Sequence, residues 1–276
     1  MTEIEVRQAL ANGTEVNWTD VSVNQRLSED FIREFTEKVN WNCVSMYQPL
    51  SESFLREFAE KVDWYYVSMY QLLSESFIRE FAEKVNWNCV SIHQRLSESF
   101  LREFTDKVDW YCVSKYQHLS EPFLREFAEK VNWNCVSKYQ CLSDTFRQEF
   151  NLTIPENNWL YTDNDTKLQA IKATNLYDIQ GTDIIAYKGV RADGWSCFNF
   201  QYRYETGKTY VAHADHNLDN EDSFGLSAWT LEKAREHCGE LGKVFKVRIA
   251  VEDVAALVHE GKKLRCTRLT VLEEVS

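Results

Sequence analysis

The chain has 276 residues, enough for two domains of ordinary size, and 44% of them are apolar, which excludes a disordered polymer. Acidic side chains number 43 against 31 basic ones, a net charge of −12, so nucleic acid is not an expected partner: no basic stripe exists to track phosphates. No apolar run is long enough to span a bilayer, and Met1-Thr-Glu-Ile-Glu-Val-Arg lacks the basic and apolar parts of an export signal, so no membrane and a cytoplasmic setting are expected.

Trp18, Trp41, Trp64, Trp87, Trp110 and Trp133 recur every 23 residues. Around each lies Val-(Asn/Asp)-Trp-x-x-Val-Ser-x-x-Gln-x-Leu-Ser-(Glu/Asp)-x-Phe-x-x-Glu-Phe, in six copies that start at residues 16, 39, 62, 85, 108 and 131. Within Leu73-Ser-Glu-Ser-Phe-Ile-Arg-Glu-Phe-Ala-Glu-Lys-Val, apolar side chains fall at Leu73, Phe77, Ile78, Phe81 and Val85, the stripe of a long amphipathic helix capped by Ser74. Asn86, or Asp in its place, caps a shorter helix over Trp87-Asn-Cys-Val-Ser-Ile-His-Gln. One such hairpin cannot bury its aromatic face alone, whereas stacked neighbours can, so the Trp, Phe and Leu positions are expected in the core. The pattern predicts a mainly α chain: an α-helical hairpin solenoid over 1–153, a connecting segment over 154–180, and a small α+β domain over 181–276. Cys43, Cys89, Cys112 and Cys135 share one register and are expected as small buried hydrophobes rather than disulfides.

Two registers vary between copies. Met46, Met69, Ile92, Lys115 and Lys138 form one, and Pro49, Leu72, Arg95, His118 and Cys141 the other. Repeat arrays bind partners through such rows, and drift on a solvated surface leaves the same pattern; both readings stand. Glu57, Glu80, Glu103 and Glu126 also share a register, which raises mimicry of a polyanion against a host defence protein, although an arginine precedes each closely enough to neutralise it.

Beyond Pro155, Trp159-Leu-Tyr resembles the start of a seventh copy, and a helix is expected over 167–172. The remainder reads as a small mixed sheet. Strands are expected at Asp183-Ile-Ile-Ala-Tyr-Lys, Phe198-Asn-Phe-Gln-Tyr-Arg-Tyr, 244–251 and 264–275, and helices over 231–240 and 252–259, with a polar loop over 212–222.

The segments Asp183-Ile-Ile-Ala-Tyr-Lys-Gly, Phe198-Asn-Phe-Gln-Tyr, Gly207-Lys-Thr-Tyr, Asn220-Glu-Asp-Ser-Phe-Gly-Leu and Lys263-Leu-Arg-Cys together resemble a C-terminal domain of large DNA viruses, phages and bacteria. In its giant-virus versions that domain follows Trp-bearing repeats similar to these. The resemblance implies a viral origin and action in a host cytoplasm or virus factory, and supplies no catalytic residues.

His213-Ala-Asp-His216, with Cys197 or Cys238, offers ligand atoms in no familiar zinc spacing, so no metal is expected, and no cofactor either. No nucleophile elbow, phosphate loop or dinucleotide fingerprint is present. The sharpest enzymatic reading is an ADP-ribosyltransferase-like, NAD-using domain. Tyr187-Lys188-Gly would stand for the aromatic-Arg-Gly strand, Ser227 for the later serine, and Glu273 or Glu274 for the acid. The leading expectation is a non-enzymatic scaffold that binds a host or viral protein through the repeat array.

Overall fold

The computed structural model describes residues 1–24, 26–197, 202–239 and 241–275. Helical hairpins recur through the first part of the chain and an antiparallel sheet follows them. Helices hold 41% of residues, so "mainly α" is too broad. By internal contacts the chain divides into two compact units, Met1–Val108 and Asp109–Ser276.

Met1–Val108 begins with a helix over Glu3–Ala11, closed by a Thr2–Glu5 capping box. Hairpins then follow at the 23-residue period. Each pairs a helix that starts at the tryptophan, such as Trp64–Tyr70, with one that starts after a serine, such as Glu75–Glu80. The expected caps are in place: the Asp63 carboxylate accepts from the Tyr65 and Tyr66 amides, and Ser74 Oγ accepts from Phe77 N.

The second helix is shorter than its apolar stripe suggests. It stops at Phe81, and the Lys84 and Val85 amides turn back onto the Phe81 carbonyl. The bend lets Trp87 Nε1 donate to the Ala82 carbonyl at 2.9 Å, an acceptor that a continued helix would have used itself. Each indole then lies against two phenyl rings of its own hairpin; Trp64 is 6.2 Å from Phe77 and 4.9 Å from Phe81. Phe77 and Ile78 are fully buried, whereas the tryptophans are only half-buried.

Polar side chains join successive hairpins. Gln71 is buried: its Nε2 donates to Ser45 O at 2.9 Å and Gln48 O at 2.8 Å, and its Oε1 accepts from Leu50 N at 3.0 Å. Gln94 repeats these bonds one hairpin on, to Ser68 O, Gln71 O and Leu73 N. Ser45 Oγ accepts from Asp63 N, and Glu52 Oε1 accepts from Ser74 N. On the surface, Arg33 pairs with Glu57, Arg56 with Glu80 and Arg79 with Glu103, each guanidinium also lying 5.0 Å over a phenylalanine of the next hairpin. Lys61–Glu37 and Lys84–Glu60 pair in the same way. The four repeat cysteines form no disulfides; Cys89, Cys112 and Cys135 are buried and Cys43 half-buried.

Asp109–Ser276 opens with two further hairpins, in which Gln140 makes the same three bonds, to Ser114 O, Gln117 O and Leu119 N. A 3-10 turn over Trp159–Tyr161 follows, capped by Asn158 as the repeat helices are capped by Asn or Asp, and then a helix over Asn164–Ala173. The sheet comprises β1 (Asp178–Gln180), β2 (Asp183–Val190), β3 (Thr209–Val211), β4 (Leu226–Trp229), β5 (Lys243–Ala250), β6 (Val254–Val258), β7 (Lys263–Cys266) and β8 (Arg268–Val275). Its order is β3-β8-β5-β2-β4-β7-β6, with β1 pairing β2 beside that path.

Among the described residues the strands pair antiparallel throughout, not mixed. The helix expected over 252–259 is instead a 3-10 turn, Val251–Asp253, leading into β6, whose Val-Ala-Ala-Leu-Val run is almost entirely buried against β7. The last strand is two, broken at Thr267, whose amide donates to the Asp253 carbonyl at 2.8 Å. The strand expected from Phe198 lies partly outside the described residues. A helix over Leu231–Cys238 packs on β2 at Gly189, where a Cβ would sit 2.3 Å from the Ala234 carbonyl oxygen.

Gln71→Leu removes the partners of Leu50 N and of two buried carbonyls, and should lower stability by about 3 kcal/mol in urea unfolding. Glu60→Gln, which breaks only an exposed ion pair, should cost less than about 0.5 kcal/mol.

Candidate functional sites

Each tryptophan helix of Met1–Val108 buries its valine and serine; in Trp64–Tyr70 these are Val67 and Ser68. The two residues after that serine lie at the edge of the buried surface. In Met1–Val108 they are Met46 and Tyr47, Met69 and Tyr70, and Ile92 and His93, all half-buried. Successive tryptophan helices pack on one another, so these positions form a row, with Tyr65 and Leu72 exposed beside it at 48% and 59%. Tyr66 stacks on Tyr70 at 6.3 Å between ring centroids. The row is apolar and aromatic and carries no formal charge unless His93 is protonated, and burial pushes the His93 pKa down.

The same register within Asp109–Ser276 is Lys115, Tyr116, Lys138 and Tyr139, and there the chain covers it with its own loop. The Phe224 ring meets Tyr116 edge-on at 4.9 Å and Tyr139 at 5.8 Å. His213 stacks on Phe224 at 5.3 Å and meets His118 edge-on at 6.1 Å. Lys115 Nζ lies 4.9 Å over Tyr116 and 5.3 Å over Tyr139, and Asn158 Nδ2 donates to the Lys138 carbonyl at 3.1 Å.

That loop, 212–225, is polar in sequence over 212–222 but internally braced. Arg265 and Asp215 are both 0% exposed. The Arg265 guanidinium donates to the carbonyls of Asp215, Asn217, Asn220 and Glu221, and the Asp215 carboxylate accepts from Asn217 N and Asn220 Nδ2. His213 Nε2 and His216 Nδ1 are shut off from solvent without hydrogen-bond partners, and burial pushes each imidazole down to about 4. No group of three metal-ligating side chains occurs among the described residues. Sequence reasoning passed over Phe224 and Arg265; the available signal was an arginine set inside the buried run Leu264-Arg-Cys266.

The four residues singled out for ADP-ribosyl transfer separate. Lys188 on β2 and Ser227 on β4 come together: Nζ is 3.5 Å from Oγ and 5.2 Å over the Tyr204 ring. Lys188 is 5% exposed, and burial pushes its amine down to about 8. Tyr187 stands opposite Trp229 and Lys246 and packs with Trp229 and Ala234. Glu273, on β8, is exposed and accepts from Lys246 Nζ at 3.2 Å. The glutamates proposed as a polyanion row are, at Glu57, Glu80 and Glu103, each neutralised by an arginine of the preceding hairpin.

No family model matches the chain, and neither the curated proteins nor the solved structures contain a significant match to it. Among the described residues no helix is long and apolar enough to cross a membrane.

The buried histidines set a pH dependence. Their native pKa values lie below the free imidazole value, so below pH 6.5 the unfolded chain binds more protons than the folded one. Stability is therefore full above pH 6.5 and falls as the pH drops toward 4. Since both rings keep some solvent exposure, we expect a loss of about 2 kcal/mol between pH 7 and pH 4.5. Urea unfolding of the His213→Phe/His216→Phe double variant should show a smaller loss over the same interval than the natural chain.

Proposed function

We propose that the chain is a protein-recognition scaffold whose binding row is Met46, Tyr47, Met69, Tyr70, Ile92 and His93. The observation that carries this reading is the fate of the same register in the last two hairpins, where Tyr116 and Tyr139 receive Phe224. The tryptophan-helix surface thus accepts an aromatic side chain once within this very chain. In the earlier hairpins the row holds methionine and isoleucine where Lys115 and Lys138 stand later, which makes it a more apolar seat. Methionine adapts to irregular partners, and aromatic anchors concentrate binding energy in well-packed pockets.

The partner is a host or viral protein that presents an aromatic side chain from a loop or extended segment. Similarity of the repeat-plus-domain arrangement to giant-virus proteins supports a viral origin and action inside a host cell. The pairing of Glu57, Glu80 and Glu103 with arginines disfavours a basic, polyanion-binding partner.

Selection of displayed random peptides on the full chain tests the reading. Enriched peptides should carry an aromatic residue flanked by apolar ones. Met69→Glu/Ile92→Glu should weaken them by about 30-fold, the equivalent of one hot spot, while the melting temperature stays within a few degrees. Enrichment without an aromatic residue, or binding indifferent to this double substitution, would remove the row from the function.

A further inference from the structure

Lysines buried in the sheet unit are normally compensated. Lys263 has the Asp222 carboxylate at 2.7 Å and the Glu221 carbonyl, and Lys167 has the Val254 carbonyl at 3.1 Å. Lys188 differs. It is as deeply buried as these, yet among the described residues its amine meets the Ser227 hydroxyl and the face of Tyr204, and the titratable groups that act on it are the thiols of Cys266 and Cys197 and the amine of Lys263. A buried ammonium without an anion is costly. Burial therefore loosens the amine's hold on its proton, and the neutral form has the Ser227 hydroxyl beside its lone pair.

The backbone fixes this pair. β2 and β4 are bonded at Tyr187 and Trp229, one residue from Lys188 and two from Ser227. Gly189 lets the helix Leu231–Cys238 close over β2 at the next position. Ser227 is half-buried, whereas Lys188 is 5% exposed. A serine nucleophile with a neighbouring base, both held on sheet strands, is the minimal arrangement for acyl transfer.

We propose that Ser227 and Lys188 form a serine–lysine acyl-transfer site acting on small uncharged esters. Ser227 Oγ adds to the ester carbonyl carbon while Lys188 Nζ takes the hydroxyl proton. The tetrahedral adduct then expels the alkoxide, which receives that proton from Lys188 and leaves as the alcohol, with the acyl group on Ser227. Water attacks the acyl carbon, again giving a proton to Lys188; Oγ departs, recovers the proton, and the carboxylic acid is released. No oxidant or cofactor enters the balance. The apolar surroundings of the amine and the half-buried hydroxyl select small, uncharged acyl groups. This site is independent of the recognition row, and either can fail without the other.

The test uses the full chain, a serine-directed fluorophosphonate probe and p-nitrophenyl acetate, with the adduct located by peptide mapping. A single adduct is expected on Ser227, absent in Ser227→Ala. Lys188→Met should slow labelling by about 100-fold or more, as removal of a general base does. Lys188→Arg should do the same, because a guanidinium cannot accept the proton. In the natural chain the labelling rate should rise with pH through an apparent pKa near 8. Circular dichroism identifies any variant that fails to fold; the adduct map and pH profile of the natural chain then decide alone. No adduct on Ser227, a pH-independent rate, or undiminished labelling in folded Lys188→Met would overturn the proposal.

Discussion

Within each compact unit a buried glutamine amide links a hairpin to the one before it, and the packing of the hairpins is arranged around that contact. Gln71 takes three backbone groups of the preceding hairpin that would otherwise be buried without partners, and Gln94 and Gln140 do the same in their places. Leaving such groups unpaired is expensive, so the contact is exacting in a way that apolar packing is not. Phenylalanine and leucine fill the space between hairpins and would tolerate some sliding. The amide does not tolerate it, because a shift of one residue breaks all three bonds. A fixed period without insertions is the consequence.

The same constraint separates what can vary from what cannot. The glutamine, the serine three residues earlier and the backbone amide of the capping Asn or Asp all bond the neighbouring hairpin. The residues between serine and glutamine, from Met46 and Tyr47 to Lys138 and Tyr139, do not enter that network through their side chains. Their identity is free to follow whatever covers them. In the last two hairpins the cover is the Phe224 loop, locked by Arg265, and Lys115 lies over both tyrosine rings there.

The repeat period, the caps at Ser74 and Asn86 and the burial of Phe77 and Ile78 were legible because they are local or periodic. The early end of the helix at Phe81 was not, since it depends on an indole reaching back to a carbonyl, and the apolar stripe runs on past the break to Val85. Residues 252–259 misled for a related reason: Val-Ala-Ala-Leu-Val is a run without alternation, and only its partner β7 decides for a strand. At the candidate sites, Lys188 and Ser227 were visible singly, but their meeting across β2 and β4 is a product of topology. The loop over 212–222 looked solvated because its carboxylate and histidines are polar; their burial rests on Arg265, far along the chain.

The central claim is that the amide-linked 23-residue unit, rather than general apolar stacking, holds Met1–Val108 together. Excision of residues 62–84 tests it most directly, because it removes one whole unit and lets Gln94 take the place of Gln71 behind Leu50. This variant should keep the far-ultraviolet spectrum per residue and a cooperative melt close to that of the natural chain, whereas excision of 62–73 alone should abolish cooperativity. Equal tolerance of the two deletions, or equal collapse, would contradict the account.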